Sequence, residues 1–392
     1  MNQIDNKCQS VKHLNFFHWH ASQFSLLFLL SILYIQNRLA IVVSQQIILL
    51  CLRLELLDQN TGQRLYDPSD LNQRLKIKRA LIKNKSLSVE FSDGIESVYQ
   101  IEDLINEINK NLSNKKIFLW NSKIKNKPIL RFKLDMFNNK EGYFFLEKFY
   151  KYGFSILKNT PVKNNFILKF ANSIGVVRTT NFGTLFSVKS IINKNDERKG
   201  NDDLAYTSYP LPAHTDNPYR KPIPGIQILH CIKNDSRGGH STLTDGFAVA
   251  EYLRKKHKNF FKLLTTVKIR FSYVGKNTIL ENWGETIELD KNNSLKRVRL
   301  SPRLDYVPVL KKEQLNQFYK ARSFFIKLCN SRKFMIQFKL EPGDLMIMDN
   351  HRTLHGRTAF SMNVGERCLE GCYIDHDSAE SKMKYLKRKF NI

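Results

Sequence analysis

The stretch that follows residue 201 constrains the fold more than any other part of the chain. Proline and glycine cut it into apolar runs too short for helices, around Leu243, Phe271, 287–289, 338–340 and 345–348. Short apolar runs separated by turn residues predict strands, and many of them in succession predict a β-sandwich or barrel. One helical stretch, 313–329, interrupts the series. Upstream, 144–152 and 163–174 read as helices around a strand at 154–156, entered through a Tyr-Gly turn. Further upstream, KSLSVEF at 85–91 alternates apolar and polar residues, Ser92-Asp93-Gly94 is a hairpin-type turn, and 98–101 is the returning strand. Residues 103–112 carry the apolar spacing of a short helix. These textures divide the chain into a small β-rich domain at 52–113, an Asn/Lys-rich linker at 114–131, and a larger domain at 132–392.

Residues 1–51 are atypical and hydrophobic. Positions 14–37 hold no Asp, Glu, Lys or Arg, but His18, His20, Gln23, Gln36 and Asn37 dilute the apolar run below what a bilayer span needs. The segment suits a buried strand or helix, or a damaged reading frame, better than a membrane anchor. No secretory signal is evident.

The 392 residues carry 63 Lys+Arg against 36 Asp+Glu, a net charge of +27. A nucleic-acid-binding chain would cluster those cations beside stacking aromatics. Here they are scattered, so a solvated basic surface is expected and a nucleic-acid partner is not. Six cysteines without a CxxC pair argue against a disulfide scaffold or a thiolate zinc site and favour a reducing, cytoplasmic setting.

Two motifs can carry chemistry. LPAHTDNPYR holds His214 and Asp216, and DNHRTLHGRTAF holds His355. On a strand or its edge, residues two apart face the same way, so His214 and Asp216 would converge on one point. Two imidazoles and one carboxylate with open coordination positions suit a non-haem Fe(II) oxygenase.

The surrounding sequence resembles the γ-butyrobetaine hydroxylase branch of the 2-oxoglutarate-dependent dioxygenases, within the taurine dioxygenase superfamily. The resemblance lies in IGVVRTTNFGTLFSVKS, AYTSYPLPAHTDNPYRKPIPGIQILHCIKN, GGHSTLTDGFAVAEYLR, PGDLMIMDNHRTLHGRTAF and RCLEGCYIDHDSAESKMKYLKR, in that order. It implies a mainly β fold with helices: a double-stranded β-helix (jelly roll) catalytic core plus the small β-rich N-terminal domain. It implies Fe(II) on His214, Asp216 and His355, with 2-oxoglutarate as cosubstrate, O2 as oxidant and ascorbate as an auxiliary reductant. Arg367 takes the place of the arginine that grips the distal carboxylate of 2-oxoglutarate, with Arg357 its nearest competitor. A planar guanidinium can pair with a carboxylate through two parallel hydrogen bonds. Ser241 and Leu229 fall where residues support the cosubstrate. Tyr206 and Tyr373 fall at walls of a cage for a quaternary ammonium group, and Asp203 and Asn217 at further substrate positions.

At those last two the sequence departs from the family pattern, which has an amide and an aromatic there. Phe182 and Tyr219 read equally as pocket or packing. Arg178 and Arg220 leave open an anionic substrate end, carboxylate or phosphonate. The expected activity is hydroxylation of a small quaternary-ammonium zwitterion such as γ-butyrobetaine, in carnitine biosynthesis. An aminophosphonate or trimethylaminoethylphosphonate is the alternative. Homodimers are common among such proteins, and no structural zinc is expected.

Overall fold

The structure, a computed structural model, describes residues 77–102, 117–125, 128–190, 209–361 and 365–392, with isolated positions between 58 and 69. Tyr206, Asp203, the expected helix at 103–112 and the whole of 1–51 lie outside the described residues. No helix among the described residues is long and apolar enough to cross a membrane. The chain divides into two compact units, Met1–Asn114 and Lys115–Ile392.

In the first unit β1 (Ile77–Lys83), β2 (Ser86–Phe91) and β3 (Glu96–Gln100) form an antiparallel meander. Asn84 and Lys85 both take positive φ between the paired ends Lys83 and Ser86, as a two-residue hairpin turn with right-handed strand twist requires. Val89, Phe91 and Tyr99 are buried, and the alternation read from 85–91 places the first two on one face.

The second unit opens with β4 (Ile129–Arg131), α1 (Lys140–Tyr152), β5 (Phe154–Lys158), α2 (Phe166–Ile174), β6 (Val177–Arg178) and β7 (Phe186–Ser190). Then come β8 (Leu211–His214), β9 (Ile226–Asn234), β10 (Ser241–Asp245), α3 (Gly246–Lys256) and α4 (Lys258–Thr266). The strands β11 (Lys268–Gly275), β12 (Thr278–Glu285), β13 (Ile287–Leu289), β14 (Leu295–Val298) and β15 (Asp305–Tyr306) lead to α5 (Lys312–Cys329). The unit ends with β16 (Met335–Phe338), β17 (Leu345–Asp349), β18 (Thr353–Arg357), β19 (Arg367–Ile374) and α6 (His376–Phe390).

Two sheets make the sandwich. One runs β4-β5-β17-β9-β19-β6, with β7 also on β19; the other runs β16-β10-β18-β8. Their shared core holds Phe154, Leu229, Met346, Met348 and Leu369 from the first sheet and Leu243 and Ile336 from the second. The opposite faces of the same strands pack elsewhere: Ile226, Ile228, Leu345 and Ile347 lie in a cluster with α1, α2 and α6. Strands buried on both faces are apolar without interruption, which is why LMIM reads as one run and not as an alternation.

Gly153 turns the end of α1 into β5 at φ 78, and a Cβ there would stand 2.8 Å from the Thr353 hydroxyl oxygen. Part of the stretch expected to be a linker is packed against this unit. Trp120 is buried, donates from its indole to the Tyr152 carbonyl (2.7 Å), and its backbone N–H donates to Asp245 (3.1 Å). An apolar ring gains more from burial there than a flexible connection gains from solvent.

Asp245 is itself fully buried against Arg352, which donates to both of its carboxylate oxygens (3.0 and 2.8 Å). The same carboxylate caps α3 through Phe247 N–H and Ala248 N–H, while Arg352 also reaches the carbonyls of Lys151 and Phe118. This knot holds the turn that leads into β18.

Candidate active site

His355 lies in the middle of β18, between β8 and β10, and its register partner on β8 is His214. The two imidazoles therefore stand side by side, ring centroids 4.3 Å apart. Asp216 is not on a strand: β8 ends at His214, and the chain bends before Asp216. Asn350 sets its position from the β17–β18 turn. The Asn350 side chain accepts from the Asp216 N–H (2.7 Å) and donates to the Asp216 carbonyl (3.0 Å) and to the Pro224 carbonyl (2.9 Å). The His-x-Asp convergence thus comes from a side-chain clamp and not from strand alternation.

The three groups point together. His214 Nε2 is 3.4 Å and His355 Nε2 3.8 Å from Asp216 Oδ1. Donor atoms around one ion with ~2.1 Å bonds stand roughly 3–3.4 Å apart, so only a small contraction is needed to bind one. Each ligand is oriented from behind. The Pro212 carbonyl, 2.9 Å from His214 Nδ1, can only accept, so Nδ1 carries the proton and Nε2 keeps its lone pair. Gln227 Nε2 (2.6 Å) and the Tyr373 hydroxyl (2.7 Å) both donate to Asp216 Oδ2, leaving Oδ1 for a metal.

Burial would push the Asp216 carboxyl up, but His355, His214 and the Tyr373 hydroxyl hold it well below the usual range. Burial, with His214 beside it, draws His355 down to about 4, so its imidazole is neutral and ready to ligate at neutral pH. Burial and the neighbouring Asp216 carboxylate keep the Tyr373 phenol far above its ordinary value, so it stays a donor.

A cavity of about 120 Å³ opens on the triad. Alternate residues of β19 face it: Arg367, Leu369 and Tyr373, with Gly371 between them. A Cβ on Gly371 would lie 2.2 Å from the Phe186 ring, so the missing side chain is what admits Phe186 to the wall. Leu229 and Gln227 face the cavity from β9, and Ser241 from β10. Arg367 is 4% exposed, has no ion pair among the described residues, and its Nε has no hydrogen-bond partner there. Such a guanidinium fits a ligand carboxylate. Arg357 also lines the cavity, and its Nη2 lies 3.4 Å from the Tyr209 carbonyl. The donor set suits Fe(II), and the buried Arg367 suits the far carboxylate of 2-oxoglutarate.

The remaining expected residues fall in different places. Phe182 lines the cavity; Tyr219 is buried, stacked on Tyr273 (5.1 Å), and donates to Asn217 (2.6 Å). Asn217 touches the cavity from a left-handed backbone, φ 50. Tyr373 is at the wall, but its hydroxyl is engaged with Asp216. Arg178 is tied to Asp375 (3.0 Å) and the Pro222 carbonyl (2.6 Å), and Arg220 to Asn181. Neither arginine lines the cavity.

Sequence reasoning missed Gln227 and Asn350. The signal for Gln227 was present: a lone amide in an apolar run, two positions before Leu229. Asn350 had none, because its partner is distant in the chain.

A pair of imidazoles with one carboxylate, opening on a cavity with a buried guanidinium that has no ion pair among the described residues, defines the site of a non-haem iron oxygenase that uses a 2-oxo acid. The chain belongs to the family described as taurine catabolism dioxygenase TauD, TfdA, whose model matches residues 132–373. It is 35% identical over 236 residues to a gamma-butyrobetaine dioxygenase of Pseudomonas sp. (strain AK-1), covering 60% of each chain, so the match spans less than two thirds of that relative. It is 30% identical over 278 residues to the Homo sapiens gamma-butyrobetaine dioxygenase, 69% of each chain. To the mitochondrial trimethyllysine dioxygenase of Mus musculus it is 27% identical over 348 residues, 84% of this chain and 79% of that one.

Proposed function

We propose that the protein is an Fe(II)/2-oxoglutarate-dependent dioxygenase that hydroxylates an unactivated C–H bond of a small quaternary-ammonium zwitterion of the γ-butyrobetaine type, in the cytoplasm and in the service of carnitine synthesis. The observation that carries this reading is the meeting of His214, Asp216 and His355 on one cavity that also holds the buried Arg367, which has no ion pair among the described residues. The gamma-butyrobetaine dioxygenases among its relatives support the substrate class.

Bound iron, 2-oxoglutarate and O2 supply the oxidising power, with ascorbate as an auxiliary reductant. The chain supplies position. His214 and His355 offer Nε2 and Asp216 offers Oδ1, while Gln227 and Tyr373 fix the carboxylate plane. Arg367 anchors the distal carboxylate of the keto acid, with Ser241 on the strand beside Arg357. Leu229, Leu369 and Met346 keep water from that end. Phe182, Phe186 and Tyr373 line the cavity, where a trimethylammonium group over an aromatic ring gains about 0.5–2 kcal/mol per contact. No side chain need act as a base.

Arg178 and Arg220 are engaged elsewhere and do not choose between a carboxylate and a phosphonate end; Arg303 does line the cavity. Nor does a nucleic-acid role follow from a basic excess spread along the whole chain.

The test is substrate-dependent succinate and CO2 formation by the Fe(II)-loaded protein with γ-butyrobetaine, trimethyllysine and trimethylaminoethylphosphonate side by side. Turnover with γ-butyrobetaine well above the other two is expected. Turnover with none of them, or with the phosphonate alone, refutes the substrate reading.

A further inference from the structure

Asp349, His351 and His376 form a second set of metal-ligating side chains, none of which the oxygenase site uses. Asp349 ends β17, His351 follows it in the turn, and His376 is the first residue of α6. One ligand atom from each lies within 4.8 Å of the other two. Asp349 Oδ1 is 3.0 Å from His376 Nε2, and the rings of His351 and His376 are 5.0 Å apart. The first distance equals the separation of neighbouring donors on one ion with ~2.1 Å bonds. Gly225 makes room for the arrangement: a Cβ there would meet the His376 ring at 2.8 Å.

We infer that Asp349, His351 and His376 bind a second divalent transition metal of the zinc or cobalt type. Two imidazoles and one carboxylate favour such ions over magnesium or calcium, which prefer oxygen ligands throughout. The side chains of His376 and Asp349 are 22% and 17% exposed, so solvent can complete the coordination and an ion can enter. In the metal-free form His376 Nε2–H donates to Asp349, and the ion takes the place of that proton.

The charge surroundings are mixed. The Arg297 guanidinium lies near enough to act on His351 and Asp349, whereas Glu380, Asp349 and Asp377 together bear on the neighbouring Tyr150. Asn350, the clamp on Asp216, lies between two of the proposed ligands, so an ion held here would stiffen the turn that positions the iron ligand.

The experiment is an anaerobic Co(II) titration of the full-length, metal-stripped protein, with bound metal counted after gel filtration. Two equivalents per chain are expected for the wild type and one for each of His376→Gln, His351→Gln and His355→Ala, the last losing the oxygenase site instead. A single wild-type equivalent that His355→Ala removes overturns the inference, as does a second that survives both His376→Gln and His351→Gln. Because His355→Ala leaves the cluster untouched, a folded His355→Ala chain that binds no cobalt overturns it too. Failure of the iron site shows separately, as a wild-type equivalent that His355→Ala does not remove.

Discussion

Replacing Tyr373 with phenylalanine removes one atom and separates two roles that the residue has in principle. Its hydroxyl donates to Asp216 Oδ2 at 2.7 Å, while its ring, 5.4 Å from that of Phe186, faces the cavity. A hydrogen bond to a charged group contributes about 1.5–3 kcal/mol, and every 1.4 kcal/mol is tenfold in an equilibrium constant. Gln227 still donates to the same oxygen, so the carboxylate keeps half of its support and the lower end applies. Tyr373→Phe should therefore weaken Fe(II) binding about 10-fold, and Tyr373→Phe with Gln227→Leu roughly 100-fold, the range found for groups that orient metal ligands. Anaerobic Fe(II) titration measures this, with thermal unfolding of the metal-free protein to confirm an intact fold. An unchanged Fe(II) affinity together with a raised KM for the quaternary-ammonium substrate would refute the reasoning and return the hydroxyl to substrate recognition.

Arg367→Lys should weaken 2-oxoglutarate binding at least about 10-fold and leave Fe(II) affinity unchanged, because an ammonium cannot reproduce the forked pairing. If Arg357→Lys has that effect and Arg367→Lys does not, the two roles are exchanged. Arg352→Met should cost about 3–5 kcal/mol in denaturant unfolding by stranding the buried Asp245 carboxylate; a loss under 1 kcal/mol would mean the knot is not structural. Burial draws His230 down to about 4 from 6.5, so the native state resists its protonation. Its contribution to stability is full above pH 6.5 and is lost as the pH falls towards 4. The Tm of the metal-free wild type should drop over that window more steeply than that of His230→Gln; parallel curves would refute the assignment.

Much of this architecture was legible because local pattern and burial coincide. The alternation at 85–91, the unbroken run at 345–348 and the helical spacing at 313–329 became β2, β17 and α5 with small shifts at the ends. The strand expected at 338–340 is Met335–Phe338, since Leu340 is buried by side-chain packing without joining the ladder. In the site, motif order put forward His214, Asp216, His355 and Arg367, and the structure brings them to one cavity. What holds them was not legible in that way. Asn350, Gln227 and the Arg352–Asp245 pair act across long sequence separations, and a polar residue in a motif does not reveal which distant backbone it satisfies.

The pairing of His214 with His355 places two of the proposed iron ligands on neighbouring strands from distant parts of the polypeptide, and Tyr373, which steadies Asp216, is 157 positions beyond it. During synthesis the first two ligands leave the ribosome long before the third, with nothing to hold a ferrous ion between them. On that ligand set, metallation would wait for β18 and β19 to join the two sheets, which would make iron capture a late event in biogenesis and its yield a sensitive report of correct sheet assembly.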